Sequence, residues 1–224
     1  MENVGFVPDT DRVDFFDDSI TENTRVSYPL EYLKNIQKPS VGEAPKNIFF
    51  LSCDAFGVLP PLSKLSPEQA VTQFLLGYTA KVAGTEWDIQ EPQAVFSACF
   101  GAPFMPLHPM VYGHLLEQKI KENNTQVWLV NTGWIKGPYG VGERIALRYT
   151  RALIDAVLED KIPASAFTTS TVFDFQIPDF CPEVPAELLN PKQLWENPKD
   201  YDVHARKLKK QFGANLQKLM EQQV

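Results

Sequence analysis

Apolar residues gather along this chain in two kinds of run. Asn47 to Ser52 (N-I-F-F-L-S) and Gln126 to Asn131 (Q-V-W-L-V-N) are short, continuous and bounded by polar residues, the pattern of strands covered on both faces. Between and after them the spacing turns helical. Ser66-Pro67-Glu68-Gln69 is a capping box with proline at the first helical position, so a helix is predicted from Pro67 to about Val82. Pro109 opens a second helix to about Asn123, and Thr150 to Leu158 reads as a third. Leu208, Phe212, Leu216 and Leu219 place one stripe along an amphipathic C-terminal helix. Strand and helix alternate, which predicts an α/β architecture.

The segments between these elements carry turn chemistry. Val13 and Phe15 alternate with Asp14 ahead of Asp17-Asp18-Ser19, predicting a hairpin that leads into Asn23 to Tyr28 and ends at Pro29. Cys53 to Leu65, with Gly57, Pro60 and Pro61, reads as a loop behind the first strand. Gly84 to Gln93 is polar and aperiodic, the signature of a mobile loop. Val172 to Ile177 is a further candidate strand. Pro178 to Pro198, with Pro182, Pro185 and Pro191 between, is expected to be irregular and to wrap the surface. No internal repeat or low-complexity tract stands out.

Composition narrows the function classes. With 44% hydrophobic residues in 224, the chain has the material for one sizeable core or two small ones. The net charge of -7 gives no support to a phosphate-coating basic surface, so no nucleic-acid partner is expected and any anionic ligand must be held locally. Met1 to Asp14 carries four acidic residues where a signal peptide would be basic and then apolar. No stretch is long enough to span a bilayer, so no membrane partner is expected and cytoplasmic residence is. Cys53, Cys99 and Cys181 are odd in number and widely spaced, which argues against a disulfide framework or a zinc knuckle and for reduced, buried thiols.

Candidate chemistry lies in two places. The loop from Gly133 to Arg144 holds Gly133, Gly137, Gly140 and Gly142 behind a strand, where glycines let backbone amides approach an anion or a flat ring. It matches neither the phosphate-loop pattern nor G-x-G-x-x-G, so its spacing fits a tight structural turn as well as a ligand loop. Arg25 could hold a phosphoryl group in its planar fork, or make a surface ion pair. His108, His114 and His204 lack metal-site spacing, and His108 before Pro109 suits the start of a helix, so no metal ligands are expected. No G-x-S-x-G elbow or Cys/His signature appears. Trp87, Trp128, Trp134 and Trp195 read as core and loop anchors.

The exact strings add a resemblance. Phe50-Leu-Ser-Cys-Asp-Ala-Phe-Gly-Val-Leu-Pro-Pro-Leu-Ser63 resembles the signature segment of the ATP-dependent phosphoenolpyruvate carboxykinases. Glu22-Asn-Thr-Arg-Val-Ser-Tyr-Pro29, Gly77-Tyr-Thr-Ala-Lys-Val-Ala-Gly-Thr-Glu86, Phe96-Ser-Ala-Cys-Phe-Gly-Ala-Pro-Phe104, Leu107-His-Pro109 and Asn131-Thr-Gly-Trp134 resemble the same family, in order. The resemblance implies a mixed sheet with flanking helices, residues 1–224 forming the C-terminal, adenine-binding and lid domain of that fold. It implies a reaction in which oxaloacetate is decarboxylated and the enolate takes the γ-phosphoryl of ATP, giving phosphoenolpyruvate, carbon dioxide and ADP, a step of gluconeogenesis.

By the same resemblance Arg25 matches the arginine that contacts the transferred phosphoryl group. Arg144, Ile145 and Thr150 match the adenine-site residues, and Thr85, Glu86 and Trp87 through Ser97 match the closing lid. The nucleotide, Mg2+ and Mn2+ belong to the complete enzyme, whose phosphate loop, metal ligands and oxaloacetate site belong upstream of Glu2 in the family pattern. The implied partner is that upstream half, and the chain alone is expected to be inactive. Two positions depart: Trp87-Asp88 replaces a small or basic pair, and Glu143 stands where a lysine commonly precedes the arginine. Two rival readings remain, a non-catalytic nucleotide-binding or interaction module and a structural fragment that self-associates.

Overall fold

The computed structural model describes residues 2–17, 19–20, 25–82 and 90–221. Thr85, Glu86 and Trp87 of the expected lid, and most of the Gly84 to Gln93 loop, lie outside the described residues. The chain divides into two units, Met1–Glu43 with Lys81–Gln93, and Ala44–Ala80 with Ala94–Val224.

In the smaller unit β1 (Gly5–Phe6) pairs antiparallel with β2 (Val13–Asp14). The hairpin turns at Pro8 to Asp11, where Asp9 takes a φ of 59° and the Thr10 amide and hydroxyl both donate to the Val7 carbonyl. Pro8-Asp9 supplies the reversal of this hairpin; at the expected turn the Asp17 carboxylate accepts the Ser19 amide at 3.0 Å, and Asp18 and residues 21–24 of the expected hairpin lie outside the described residues. Glu2 and Arg25 bridge through their backbones, at 2.8 and 3.2 Å.

The larger unit is a mixed five-stranded sheet with helices on both faces. Its strands are β3 (Asn47–Ser52), β4 (Leu62–Leu65), β7 (Gln126–Asn131), β10 (Phe167–Thr169) and β11 (Gln176–Pro178), in the order β10-β11-β4-β7-β3. β3 runs parallel to β7, in register from Asn47↔Gln126 to Ser52↔Asn131, and the other pairings are antiparallel. β7 lies inside the sheet, between β4 and β3, and alternates. Val127 and Leu129 join Phe50 and Leu65 in one core; Trp128 and Val130 join Leu62 in the other.

Helices α1 (Pro67–Leu76), α2 (Pro109–Asn123) and α5 (Pro198–Glu221) bury Ala70, Leu76, Ile120, Leu208 and Phe212 in the first core. Helix α3 (Leu147–Leu158) buries Leu153, Ala156 and Val157 in the second. The capping box of α1 forms as expected, with the Gln69 amide donating to Ser66 Oγ and the Ser66 amide to Gln69 Oε1. The His108 ring accepts the Met110 amide at the start of α2. The C-terminal stripe is buried at Leu208 and Phe212.

Several expectations shift. Helix α1 ends at Leu76, not near Val82, because Gly77 turns left-handed at φ 51° with its backbone against Ser97; a Cβ there would lie 1.7 Å from the Ser97 carbonyl. The chain continues as β5 (Tyr78–Lys81), which pairs with β6 (Gln93–Phe96). The loop read as Cys53 to Leu65 holds β4, whose four residues give too short a pattern to read. The candidate strand at Val172 to Ile177 reduces to β11: Asp174 has φ 61°, the Phe175 amide donates to Ser170 Oγ, and Phe173 and Phe175 plug the first core from a turn. α3 begins at Leu147, three residues early. The proline-rich stretch is irregular apart from α4 (Ala186–Leu189) and a 3-10 turn, but it does not merely wrap the surface, since Cys181, Val184, Leu188 and Leu189 close the second core. β3 is fully covered on one face and only partly on the other, where Phe49 packs against the second core and Leu51 is 58% exposed. Cys53, Cys99 and Cys181 are free thiols and buried.

Candidate functional site

β3 and β7 are parallel and end side by side, so the loops that follow them leave the same end of the sheet, where open α/β sheets hold their ligands. The first loop closes around Asp54. This carboxylate is fully buried and accepts the Phe56 amide at 2.9 Å, the Val58 amide at 2.7 Å, the Leu59 amide at 2.8 Å and the Tyr78 hydroxyl at 2.9 Å. Burial pushes its carboxyl above the usual range, and the amide donors and the phenol pull it back. Burial and the neighbouring Asp54 raise the Tyr78 hydroxyl, which stays a donor. From outside, Trp195 Nε1 donates to the Gly57 carbonyl at 3.0 Å and the Tyr201 hydroxyl to the Val58 carbonyl at 3.0 Å.

The second loop is laid on the first. Asn131, at the end of β7, accepts the Asp54 and Gly133 amides through Oδ1 and donates to the Leu59 carbonyl through Nδ2, at 3.0, 2.8 and 2.9 Å. The Trp134 amide donates to the Asp54 carbonyl and the Tyr139 amide to the Ala55 carbonyl. The approach requires glycine: a Cβ on Gly133 would stand 2.3 Å from the backbone of Asp54, and one on Gly57, at φ 71°, would stand 2.0 Å from the Gly137 carbonyl. Spacing alone left a tight turn and a ligand loop open; the glycines here serve close backbone packing.

On this support β8 (Trp134–Ile135) pairs with β9 (Glu143–Arg144), setting Trp134 opposite Arg144. Arg144 is exposed. Its guanidinium lies over the Trp134 ring, 5.6 Å from the centroid, and its Nε donates to the Thr132 carbonyl at 3.1 Å. Its terminal amino groups hold no partner among the described residues. The Ile145 amide donates to the Gly133 carbonyl at 2.8 Å while its side chain enters the second core; Thr150, in the first turns of α3, is also buried. A cavity of about 530 Å3 opens beside them, lined by Ile135, Arg144, Arg148, Tyr149, Leu188 and Leu194 among others. Neither Ile145 nor Thr150 lines this cavity. Glu143 pairs with Lys136 at 2.6 Å.

The remaining expected residues stand apart. Arg25 is an exposed residue of the smaller unit. Ser97 is in the larger unit, where its Oγ accepts the Ala102 amide at 3.3 Å and its amide donates to the Gly77 carbonyl. No three of His, Cys, Asp or Glu converge among the described residues, and Asp54, the buried carboxylate, is already saturated with donors. These side chains give a divalent cation no cradle. Asp54, Tyr78 and Asn131 are site-building residues that periodicity missed. The available signal was one carboxylate alone in an apolar loop, which a folded chain tolerates only if its lone pairs are filled.

Fold and loops together define an α/β protein with a cationic, aromatic-backed hairpin at the carboxyl end of two parallel strands. The family model described as phosphoenolpyruvate carboxykinase matches residues 1–187, and the chain belongs to that family. It is similar to the phosphoenolpyruvate carboxykinase (ATP) of Amoebophilus asiaticus, 52% identical over 216 residues, 96% of this chain and 42% of the relative. It is 53% identical to the protein of the same name from Christiangramia forsetii over 221 residues, 99% of this chain and 41% of the relative. The chain thus spans about two-fifths of the length of the curated relatives it matches. No helix among the described residues is long and apolar enough to cross a membrane.

Proposed function

We propose that this chain supplies the adenine-binding wall, a phosphoryl-stabilising arginine and the lid of an ATP-dependent phosphoenolpyruvate carboxykinase, residues 1–224 acting as its C-terminal domain. The observation that carries the reading is Arg144, set over the Trp134 ring, tied by hydrogen bond through Nε and mounted on a hairpin latched to the family's signature loop. A guanidinium held from one side offers its other face to a purine ring and its terminal amino groups to a ligand. Ile145, next to it in the chain, and Thr150, in the first turns of α3, are buried and take the adenine-site positions of this reading. Arg25 holds the transferred phosphoryl group, and Thr85, Glu86, Trp87 and Ser97 belong to the segment that closes over substrates.

Oxaloacetate and ATP are then the substrates, phosphoenolpyruvate, carbon dioxide and ADP the products, and gluconeogenesis in the cytoplasm the setting. Mg2+ and Mn2+ find no cradle in this chain's described side chains and are assigned to the remaining polypeptide, as are the phosphate loop and the oxaloacetate site. The protein's contribution to such a transfer is positioning and charge neutralisation. One observation favours the second reading, a nucleotide-binding or interaction module without catalysis: Glu143, paired with Lys136, places a carboxylate next to Arg144.

The test joins this chain to the part of a curated relative that it does not span and assays phosphoenolpyruvate formation. The expected result is turnover by the joined protein and none by the chain alone. In the joined protein Arg25→Ala lowers kcat by roughly a hundredfold or more with little change in KM for ATP, while Arg144→Ala acts chiefly on KM. A folded, joined protein that binds nucleotide without turnover establishes the second reading, and an Arg25→Ala variant with unchanged kcat removes Arg25 from the chemistry.

A further inference from the structure

Helices α1 and α5 and the turn at Phe173 to Phe175 enclose a cavity of about 310 Å3 that shares no residue with the one beside Arg144. Leu65, just before α1, pairs with Val127 at the start of β7, so this helix sets out from the end of the sheet opposite the candidate site. The walls are Phe173, Phe175 and Phe212, all buried, with the Phe173 and Phe175 rings stacked 5.6 Å apart. Most polar side chains around it have partners. Gln69 accepts the Ser66 amide and donates to the Asp174 carbonyl, the Thr72 hydroxyl donates to the Glu68 carbonyl, the Glu68 carboxylate accepts the Ser66 hydroxyl, and Lys209 pairs with Asp174 at 3.1 Å. Gln73 is the exception: it lines the cavity while only 4% exposed, and its side-chain amide makes no hydrogen bond among the described residues. A buried amide is ordinarily paired. Gly213 is a second anomaly. It lies inside α5, where glycine weakens a helix, yet a Cβ there would meet nothing within 4 Å, so the protein's own packing does not require the gap it leaves in the cavity wall.

We propose that this cavity binds a small, uncharged aromatic carboxamide. The ring packs on the three phenylalanines, and the amide pairs with that of Gln73, donating to Oε1 and accepting from Nε2. The volume admits a ligand of one or two rings. Charge decides against an anion: Glu68, together with the pair of Lys209 and Asp174, leaves the surroundings with one negative charge in excess. Gly213, exposed at the rim, leaves the way in open. The site is independent of the role given to Arg144.

Benzamide, benzoate and toluene, each titrated into the isotopically labelled chain and followed by NMR, test it. Benzamide should bind with a dissociation constant of about 1 mM or tighter, shifting the Gln73 side-chain amide and the backbone amides of Phe173 and Gly213. Benzoate, which adds a charge, and toluene, which lacks the amide, should each bind more weakly by about tenfold or more. Gln73→Leu, which puts an apolar group of similar size in place of an unpaired amide, should fold, bind benzamide about tenfold more weakly and bind toluene at least as well. Gly213→Leu, at an exposed position, should shut out both ligands and leave the circular dichroism unchanged. Equal affinities for benzamide and toluene, benzamide binding that survives Gln73→Leu, or shifts gathered on Gly133 to Arg144 overturn the proposal. A folded protein joined to the unspanned part of a relative that no longer binds benzamide also overturns it, because that part then fills the cavity.

Discussion

Two loops leave adjacent parallel strands at the same end of the sheet, and they have opposite constructions. The loop after β3 is closed: Asp54 fills its centre, three of its own amides and a tyrosine point inward, and Trp195 and Tyr201 hold its carbonyls. The loop after β7 is open: it rests its glycines on the first and turns Arg144, Glu143 and Lys136 outward. The contrast separates stability from recognition. On the proposed reading, a loop that keeps a cation exposed for a ligand is positioned by a neighbour that spends its polar groups on itself.

The largest effect expected from breaking this arrangement is at Asp54. Asp54→Ala leaves the Phe56, Val58 and Leu59 amides and the Tyr78 hydroxyl buried without an acceptor, and should cost about 3–5 kcal/mol in urea denaturation, or prevent folding. Asp54→Asn, which puts an amide donor among donors, should fall between. Gly133→Ala comes next: the added methyl meets unyielding backbone 2.3 Å away, and a loss of about 1–3 kcal/mol is expected in the same measurement.

The closed loop also shields its thiol. Burial raises Cys53 above its ordinary value of 9.0, with Arg144 opposing, and burial pushes Cys181 up to about 11. A thiol whose pKa is raised by folding contributes stability that is whole below the unfolded value and lost as pH rises through the folded one. The thiols' contribution to stability should therefore be whole up to about pH 9 and be lost between 9 and 11. Thiol reagents at pH 8 should label the native chain far more slowly than the urea-unfolded one; equal rates would show the loop to be open.

How much of this was legible from residues alone follows from range. The capping box at Ser66, the proline start of α2 and the stripe of α5 were readable because each depends on neighbours within a few positions. Continuous apolar runs gave β3 and β7 to the residue. β4, β10 and the early stop at Gly77 were not readable: four- and three-residue strands have no period to detect, and Gly77 stops the helix by meeting Ser97, twenty residues on. The same limit hid the Asp54 to Asn131 latch, whose ends are 77 positions apart. The loop ending at Arg144 was legible as a candidate from its glycines, but its adenine role came only through the family strings, since its Trp134 backing depends on a hairpin of two-residue strands.

The smallest effects sharpen the comparison on the open loop. Lys136→Met breaks a pair in which both side chains are about half exposed, so stability should change by about 0–1 kcal/mol. Arg144→Ala should change stability by no more than about 0.5 kcal/mol, because the side chain is exposed and the hairpin is held by backbone bonds.

Nucleotide titration of the isotopically labelled chain, followed by NMR, tests the central claim directly. Adding ADP should shift the amides of Gly133, Trp134, Gly142 and Arg144 and leave those of Phe56, Val58 and Leu59 in place, with weak affinity, since only the base end of the site is present. Arg144→Ala should abolish the shifts. Identical shifts in wild type and Arg144→Ala, or shifts confined to residues far from the second loop, would contradict the assignment of this hairpin as the adenine wall.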